Sequence, residues 1–157
     1  MAATRTVETV EELKNLVGRE LGVGKWLEIT QERINDFADV TGDHAYIHVD
    51  PDRAAKTPFG ATVAHGYLTL SLLHMLGRER EGVRIELHPK MTINYGLNRA
   101  RFVSPVRVGK RIRLRTKLLA VDEVAPNVCQ MTYLQTVEIE GEQRPALVAE
   151  TITRAYL

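Results

Sequence analysis

The stretch GYLTLSLLHML (residues 66–76) is apolar almost all the way round the helix that its spacing predicts. A surface helix carries one apolar stripe and one polar face, whereas a helix that is apolar on nearly every side needs cover on most of them. The rest of the chain must therefore wrap this segment. This requirement limits the possible folds more than any other feature of the sequence.

The segments that follow can form such a wrapper because they read as long strands. Their ranges are 83–96, 110–121, 127–140 and 145–157. In the second of them, Ile112, Leu114 and Leu118 alternate with basic residues, which is the period of a strand with one buried face. Short connections rich in turn residues favour antiparallel neighbours. The sequence therefore predicts an α+β fold, with a long antiparallel sheet wrapped around one buried central helix.

The first third of the chain predicts short helices with marked ends. A short amphipathic N-terminal helix ends at Gly18, and residues 24–30 read as a strand. Thr30 is the predicted N-cap of the next helix, because its hydroxyl can accept a hydrogen bond from an unpaired backbone N–H. Gly42 is the predicted C-terminal cap of the same helix.

The size and charge of the chain exclude several classes of protein. Its 157 residues predict a single domain over 1–157, large enough to bury a substantial core. A formal net charge of +1 gives no overall attraction to nucleic acid or membranes. No stretch reaches the roughly 20 apolar residues of a membrane-spanning helix. Cys129 is the only cysteine, which excludes an internal disulfide and favours a cytoplasmic location.

The connection TGDHAYIHVDP (residues 41–51) gathers Asp43, His44 and His48 between two predicted helices. Its last residues, Asp50-Pro51, are typical of a helix start, with Asp as the cap and Pro in the first turn. On one continuous helix, His44 and His48 would face the same metal ion and Asp43 could add a ligand. The helix-breaking residues at both ends argue against such a helix, so no metal site is expected.

Two neighbouring stretches, FADVTGDHAYIHVDPDRAA and PFGATVAHGYLTLSLL, resemble the signature of the MaoC-like dehydratases and (R)-specific enoyl-CoA hydratases. The resemblance is strongest to their nodulation-protein-N-like branch, and it runs from about residue 25 to 121, through NYGLNRARFVSPVRVGKRIRL. It implies a hotdog fold and a homodimer paired edge to edge. The implied substrate is an acyl thioester of coenzyme A or acyl carrier protein, with no metal or redox cofactor.

The resemblance also assigns roles to individual residues. It implies that Asp43 and His48 are the catalytic pair and that the Gly66 backbone N–H is the oxyanion donor. His65 precedes this glycine and is expected to form a hydrogen bond at the helix start. The chain departs from many (R)-hydratases at Ala45-Tyr46, where they have Asn-Pro. The spacing between Asp43 and His48 is kept.

These residues can support the addition of water to a 2-enoyl thioester. The reaction needs a base for the water, an acid that protonates C2, and a donor at the thioester oxygen. Asp43 and His48 supply an acid and a base if one water lies between them. Burial raises the pKa of a carboxylate and a nearby imidazolium lowers it, so such a pair can share one proton near neutral pH. Which partner is the base stays open at this point.

Other residues are candidates for binding the rest of the substrate. An acyl tail needs an apolar tunnel beside the central helix, for which Phe59, Tyr67 and Leu70 are the candidates. Arg99 and Arg101 lie in the family-like loop and are the candidates for the phosphates of coenzyme A.

Three further arginines, Arg111, Arg113 and Arg115, read as the solvated face of a strand rather than as a phosphate site. A nucleic-acid platform needs aromatic residues among its cations, and none are interleaved here. No nucleic acid is expected as a partner.

Two other functions remain open from the sequence. In a hotdog thioesterase, the same carboxylate would direct water at the thioester carbonyl instead of C3. A non-catalytic acyl-CoA-binding module would keep the pocket without turnover, and the change at Ala45-Tyr46 is compatible with it. Release of free thiol, or tight binding without turnover, distinguishes these functions from hydration.

Overall fold

A computed structural model describes residues 5–157 and confirms the predicted fold class. The helices are α1 (Val10–Lys14), α2 (Gln31–Thr41), α3 (Tyr46–Val49), α4 (Pro51–Ala54), α5 (Gly66–Ser71) and α6 (Leu73–Arg78). The strands are β1 (Arg5–Val7), β2 (Glu20–Val23), β3 (Leu27–Glu28), β4 (Glu81–Ile85), β5 (Met91–Phe102), β6 (Arg111–Ala125), β7 (Val128–Ile139) and β8 (Leu147–Tyr156).

All the strands belong to one sheet. Its order is β1-β4-β2-β6-β7-β8-β5, with β3 paired to β6 beside this path. The pairs are antiparallel except for β1 with β4, which are parallel. The predicted strands 110–121, 127–140 and 145–157 are confirmed as β6, β7 and β8. Strand β5 forms one edge of the sheet, so its outer side has no neighbour within the described chain.

The central helix is present but differs from the prediction in two respects. It consists of α5 and α6 with a break at Leu72, although backbone hydrogen bonds continue across the break. Leu68, Leu72 and Leu76 pack against the inner faces of β6, β7 and β8. Tyr67, however, is 69% exposed, so burial on most sides is wrong for the single chain. The sheet covers one side of the helix and leaves another open.

Two predicted strands are wrong in their extent. The segment 83–96 is divided between β4 and β5, which lie in different parts of the sheet. The intervening residues break the strand, because His88 has a positive φ of 48° and Pro89 lacks a backbone N–H. Of residues 24–30, only Leu27–Glu28 pairs, and the preceding strand β2 was not predicted.

Local capping signals were more reliable. The Thr30 hydroxyl accepts a hydrogen bond from the Arg33 N–H at 3.2 Å, and Gly42 ends α2 with φ 77°. Asp50 caps α4 through the Arg53 N–H at 3.0 Å. Between these helices the structure has one further turn, α3, and His48 lies in it rather than in a loop.

None of the helices in residues 5–157 is both long and apolar enough to cross a membrane.

Candidate active site

Two short segments meet at the start of the central helix, and three hydrogen bonds join them. The Val63 N–H donates to the Ile47 carbonyl at 3.0 Å. The ring of His48 donates from Nδ1 to the Val63 carbonyl at 2.6 Å, and the ring of His65 donates from Nε2 to the Asp43 carbonyl at 2.9 Å. These bonds hold the loop that carries the predicted catalytic residues against the helix that begins at Gly66.

The structure brings Asp43 and His48 together with His65. A carboxylate oxygen of Asp43 and one ring nitrogen of each histidine all lie within 4.8 Å of one another. Hydrogen bonds to water are about 2.8 Å long, so two groups at this separation can share one water molecule. We call these three residues the Asp–His cluster.

The carboxylate of Asp43 remains accessible in the single chain. One of its oxygens accepts a hydrogen bond from the Ala45 N–H at 3.3 Å, which fixes the side chain at the end of α2. The side chain is nevertheless 56% exposed in the single chain.

His48 is held in one tautomer when it is neutral. Its side chain is buried, with 8% of the residue exposed. A carbonyl oxygen only accepts hydrogen bonds, so the Nδ1 that contacts Val63 carries the hydrogen. The second ring nitrogen, Nε2, then has a free lone pair and can take a proton from water. This orientation is not visible in the sequence, because Val63 is 15 residues away.

His65 is the most enclosed member of the cluster, with 3% of its surface exposed. Its ring stacks on His48 with centroids 3.8 Å apart and planes 24° apart, and Phe37 packs against it at 5.0 Å. Its Nε2–H donates to the Asp43 backbone carbonyl, whereas Nδ1 is buried without a hydrogen-bond partner among the described residues. A buried polar atom without a partner costs about 1–3 kcal/mol in the free energy of unfolding. Such an atom is therefore expected mainly where a ligand or a water molecule binds to it.

The same atoms are close enough to be considered as metal ligands, but the ring planes disfavour this. Each imidazole binds a metal through a lone pair in its own plane, at about 2.0–2.1 Å for zinc. The His48 and His65 rings are stacked with nearly parallel planes. The two planes therefore intersect far from both rings, where one metal ion could not bind both lone pairs at this distance. His44, the other predicted ligand, points elsewhere and pairs with Asp39 at 2.7 Å. That no metal binds here stays a prediction.

Gly66 opens α5, directly after His65, and its N–H is the first of the helix. The first N–H groups of a helix have no partner within it. A Cβ at this position would lie 2.8 Å from the Phe102 ring, so the ring already occupies the space of a side chain. The structure therefore gives packing against Phe102 as a reason for glycine at this position.

The predicted acyl-tail residues separate into two groups. Leu70 lines a cavity of about 690 Å³ between the central helix and the sheet. Tyr67 and Phe59 are not part of that lining; Tyr67 instead packs its ring against Phe102 at 5.7 Å. The tunnel prediction is therefore supported at Leu70 alone.

The predicted phosphate ligands are not brought into the cluster. Arg99 and Arg101 are exposed on β5, and Arg99 lies 3.7 Å from Glu150. Side chains alternate along a strand, so Arg101 points away from the face that carries Phe102. Arg101 has no carboxylate partner within residues 5–157, and it remains the better candidate of the two.

Sequence reasoning missed several residues that support the cluster. Gln31 donates to the His48 carbonyl at 2.7 Å and also accepts a hydrogen bond from Thr62. At the position where the chain departs from the (R)-hydratases, Arg53 lies over the Tyr46 ring at 4.1 Å. No local pattern indicates these contacts, because each joins residues from different elements or depends on the turn α3.

Comparison with known proteins finds relatives that align with nearly the whole chain. A family model described as MaoC like domain matches residues 12–139. The chain is 48% identical over 150 residues to the 3-hydroxyacyl-thioester dehydratase Z of Mycobacterium tuberculosis, covering 96% of this chain and 97% of that protein. It is 45% identical over 148 residues to nodulation protein N of Rhizobium meliloti, covering 94% and 91%.

A solved structure shows the same fold. The R-hydratase PhaJ1 from Pseudomonas aeruginosa, in its unliganded form, matches with a TM-score of 0.70 and 23% identity, covering 94% of this chain and 85% of that chain. The hotdog architecture expected from the sequence is confirmed by this likeness.

Proposed function

The chain belongs to the MaoC-like family, and from that membership we propose that it catalyses the reversible hydration of trans-2-enoyl thioesters to (R)-3-hydroxyacyl thioesters. The observation that carries the proposal is the approach of Asp43 and His48 within 4.8 Å beside the first turn of the central helix. The dehydratase activity named for the 48% identical relative supports the same reaction class.

In the proposed reaction, one water lies between the carboxylate of Asp43 and Nε2 of His48. The water oxygen forms a bond to C3, its proton passes to the basic partner, and the acidic partner gives a proton to C2. The sum is the addition of one water across the double bond. A proton transfer between the partners restores their starting states. Acid–base help of this kind contributes about 10²–10⁴-fold in rate.

The Gly66 N–H is proposed to bind the thioester oxygen. Negative charge grows on this oxygen when water adds to C3, and a fixed N–H donor stabilises it. One such donor contributes about 10²–10³-fold. The position of Gly66 next to the Asp–His cluster supports this role, because the reacting carbon and the thioester oxygen of one substrate are only a few bonds apart.

His65 is proposed to act as a positioning residue. It contacts Asp43 through a hydrogen bond and His48 through ring stacking. It also directly precedes Gly66, so one buried side chain links the acid, the base and the oxyanion donor. His65→Phe keeps the ring but removes the N–H, and we expect kcat to fall while KM changes little. An unchanged kcat and pH profile would exclude the positioning role.

A homodimer paired through β5 is proposed as the working form. The outer edge of β5 has no neighbour in the sheet, and Tyr95, Leu97 and Phe102 on this strand are each about half exposed. A long apolar edge strand is a pairing site for another strand. Because Phe102 packs at Gly66, such a dimer would lie next to the site. Sedimentation velocity of the chain and of Leu97→Lys tests this, with a dimer expected for the first and a monomer for the second.

The proposed function is tested by measuring loss of the enoyl absorbance with trans-2-enoyl-CoA esters of increasing length. The wild type is compared with Asp43→Asn and His48→Gln, and dehydration is assayed with (R)- and (S)-3-hydroxybutyryl-CoA. The same thioesters on acyl carrier protein test which carrier the protein uses. An Arg101→Gln variant tests whether Arg101 binds the phosphates of coenzyme A. Full activity in both site variants would refute the assignment.

Two results would support the other functions. Release of free thiol without loss of the alkene indicates a thioesterase, in which water attacks the thioester carbonyl. Binding of acyl-CoA without turnover, unaffected by Asp43→Asn, indicates a binding module. Hydration of the enoyl esters together with dehydration of the (R)-3-hydroxyacyl thioester alone supports the proposal against both.

A further inference from the structure

The cavity beside the central helix is lined by basic residues and by no acidic ones. Its volume is about 690 Å³, and its lining includes His74, Arg78 and Arg80. No Asp or Glu of the described chain belongs to this lining, although the protein has 20 acidic residues in all. No lining carboxylate therefore offsets the charge of these arginines, and an anionic group fits the cavity.

Arg80 is the most informative of these residues. It is half-buried, and its Nε donates to the Val83 carbonyl at 3.1 Å. Burial lowers the pKa of its guanidinium, and no carboxylate of residues 5–157 offsets that cost. A cation removed from water is stabilised by a paired anion. The remaining N–H groups of the fork are available to such an anion.

Two further donors stand at the same cavity. Burial raises the pKa of Tyr133 to about 12, so its hydroxyl keeps its proton and can donate. Its present partner is the Met131 sulfur at 3.1 Å, which is a weak acceptor. The Gln135 oxygen already accepts from Thr116 at 2.8 Å, which leaves its NH₂ group as a donor. A guanidinium, a phenol and an amide are the donor set of a carboxylate site.

The apolar residues of the cavity follow the central helix away from Gly66. Leu70 is one helical turn beyond Gly66, and Leu73, Leu97 and Ile152 continue the lining. The helix rises about 16 Å between Gly66 and Gly77, at about 1.5 Å per residue. Each bond of a zigzag carbon chain is about 1.5 Å long and advances it by about 1.25 Å, so a dozen carbon atoms span about 14 Å, most of this length. Such a chain would place its far end near the donors.

We propose, on the basis of the function proposed above, that the cavity takes the distal part of an acyl group that ends in a carboxylate, and that Arg80 binds this carboxylate. The site is thus selective for thioesters of medium-length dicarboxylic acids over those of simple fatty acids. Arg80 acts on specificity and touches the tail of the substrate, away from the reacting carbons.

The test compares two CoA thioesters, trans-2-dodecenoyl-CoA and the monothioester of trans-2-dodecenedioic acid. We expect the wild type to hydrate the second with the higher kcat/KM. Arg80→Met should lower kcat/KM for the diacid by about 10- to 100-fold, the effect of losing a charge-assisted hydrogen bond. The simple enoyl ester has no distal carboxylate, so its kcat/KM should not fall in Arg80→Met. The kcat/KM of Arg80→Lys for the diacid should lie between those of the wild type and Arg80→Met, because lysine keeps the charge but not the forked guanidinium.

Arg84→Met is the matched control. Arg84 follows Val83 on β4, is exposed and pairs with Glu86, and it does not line the cavity. It should leave the ratio of the two substrates unchanged. The same ratio in wild type and Arg80→Met overturns the proposal. An equal loss for both substrates, with a lower unfolding temperature, would assign Arg80 a structural role instead.

Binding measurements separate this proposal from the proposed function. If the wild type hydrates neither thioester, the hydratase assignment fails, and calorimetry with saturated dodecanoyl-CoA and its ω-carboxy analogue still tests the cavity. Tighter binding of the ω-carboxy analogue that is lost in Arg80→Met supports the site. Weaker binding of free coenzyme A by Arg80→Met would instead identify a phosphate as the anion and overturn the carboxylate assignment.

Discussion

On the outer face of β6, Arg111, Arg113 and Arg115 are matched by carboxylates on neighbouring strands. Arg113 and Arg115 each contact Glu138 at 2.6 Å, and Arg115 also reaches Glu20 at 2.9 Å. In the Asp–His cluster, by contrast, one buried ring nitrogen has no partner among residues 5–157 and one carboxylate stays open to solvent. Both regions are rich in polar groups, and they differ in how completely those groups are matched.

This difference separates a structural network from a reactive site. Paired charges on a strand face have little capacity left for a ligand, and exposed pairs contribute about 0–1 kcal/mol to stability. Unmatched groups that are held rigidly cost stability but are ready to bind water or substrate. The outer face of β6 therefore agrees with the interpretation of its arginines as a solvated strand face.

The largest expected effect is on turnover by the Asp–His cluster. Asp43→Asn or His48→Gln should lower the hydration rate by about 10²–10⁴-fold, the range for positioned acid–base groups. Asp43 is exposed, so its replacement should change the free energy of unfolding by no more than about 0.5 kcal/mol. Arg113→Gln on β6 serves as the control and should leave turnover unchanged. Equal turnover losses at both regions would remove the distinction between them.

The next effect concerns packing at the oxyanion glycine. Gly66→Ala places a Cβ 2.8 Å from the Phe102 ring. Overpacking of this kind costs about 1–3 kcal/mol in the free energy of unfolding, measured by urea denaturation. Much of the cost should be recovered in Gly66→Ala combined with Phe102→Ala.

Gly77→Ala in α6 is the matched control for that packing test, because its added Cβ would lie 3.6 Å from the Leu114 Cδ2, an ordinary van der Waals contact. It should lack the clash penalty. If Gly66→Ala is tolerated equally well in the wild-type and Phe102→Ala backgrounds, the close contact with Phe102 does not limit this position.

A smaller effect is expected from the ion pairs of β6. Glu138 accepts from two arginines, so Glu138→Gln should lower the free energy of unfolding by about 1 kcal/mol, and less at high salt. Glu11→Gln breaks a single exposed pair with Lys14 and should cost only a few tenths of a kcal/mol. A loss for Glu138→Gln that does not respond to salt would contradict an electrostatic origin.

The smallest effect is a titration next to the cluster. The hydrogen bond that the His44 ring donates to the Asp39 carboxylate raises the pKa of His44 above its ordinary value. The pair therefore stabilises the fold below about pH 6.5, the ordinary histidine pKa, and this contribution is lost as pH rises through the folded-state pKa. NMR titration should show a lower His44 pKa in Asp39→Asn. An unchanged His44 pKa in that variant would contradict the pairing.

Much of the site was predictable because its signals are local. The caps at Thr30 and Gly42 depend on residues within one turn, and they place Asp43 directly after a helix end. The spacing of Asp43 and His48 and the sequence at His65-Gly66 identified the family. The cluster itself lay outside local reasoning, since the Asp43–His65 and His48–Val63 contacts join residues 22 and 15 positions apart.

By itself, the sequence determined the caps of α2 and α4, the strands β6, β7 and β8, and the family, because each of these depends on periodicity or on residue types at fixed short spacing. Only the tertiary structure decided which polar groups are matched. The arginines of β6 and Arg80 are the same residue type. The arginines of β6 face carboxylates on other strands, whereas Arg80 lines a cavity to which no carboxylate of the described residues belongs. That difference arises from strand pairing and burial, which bring distant residues together and decide how much water each charge keeps.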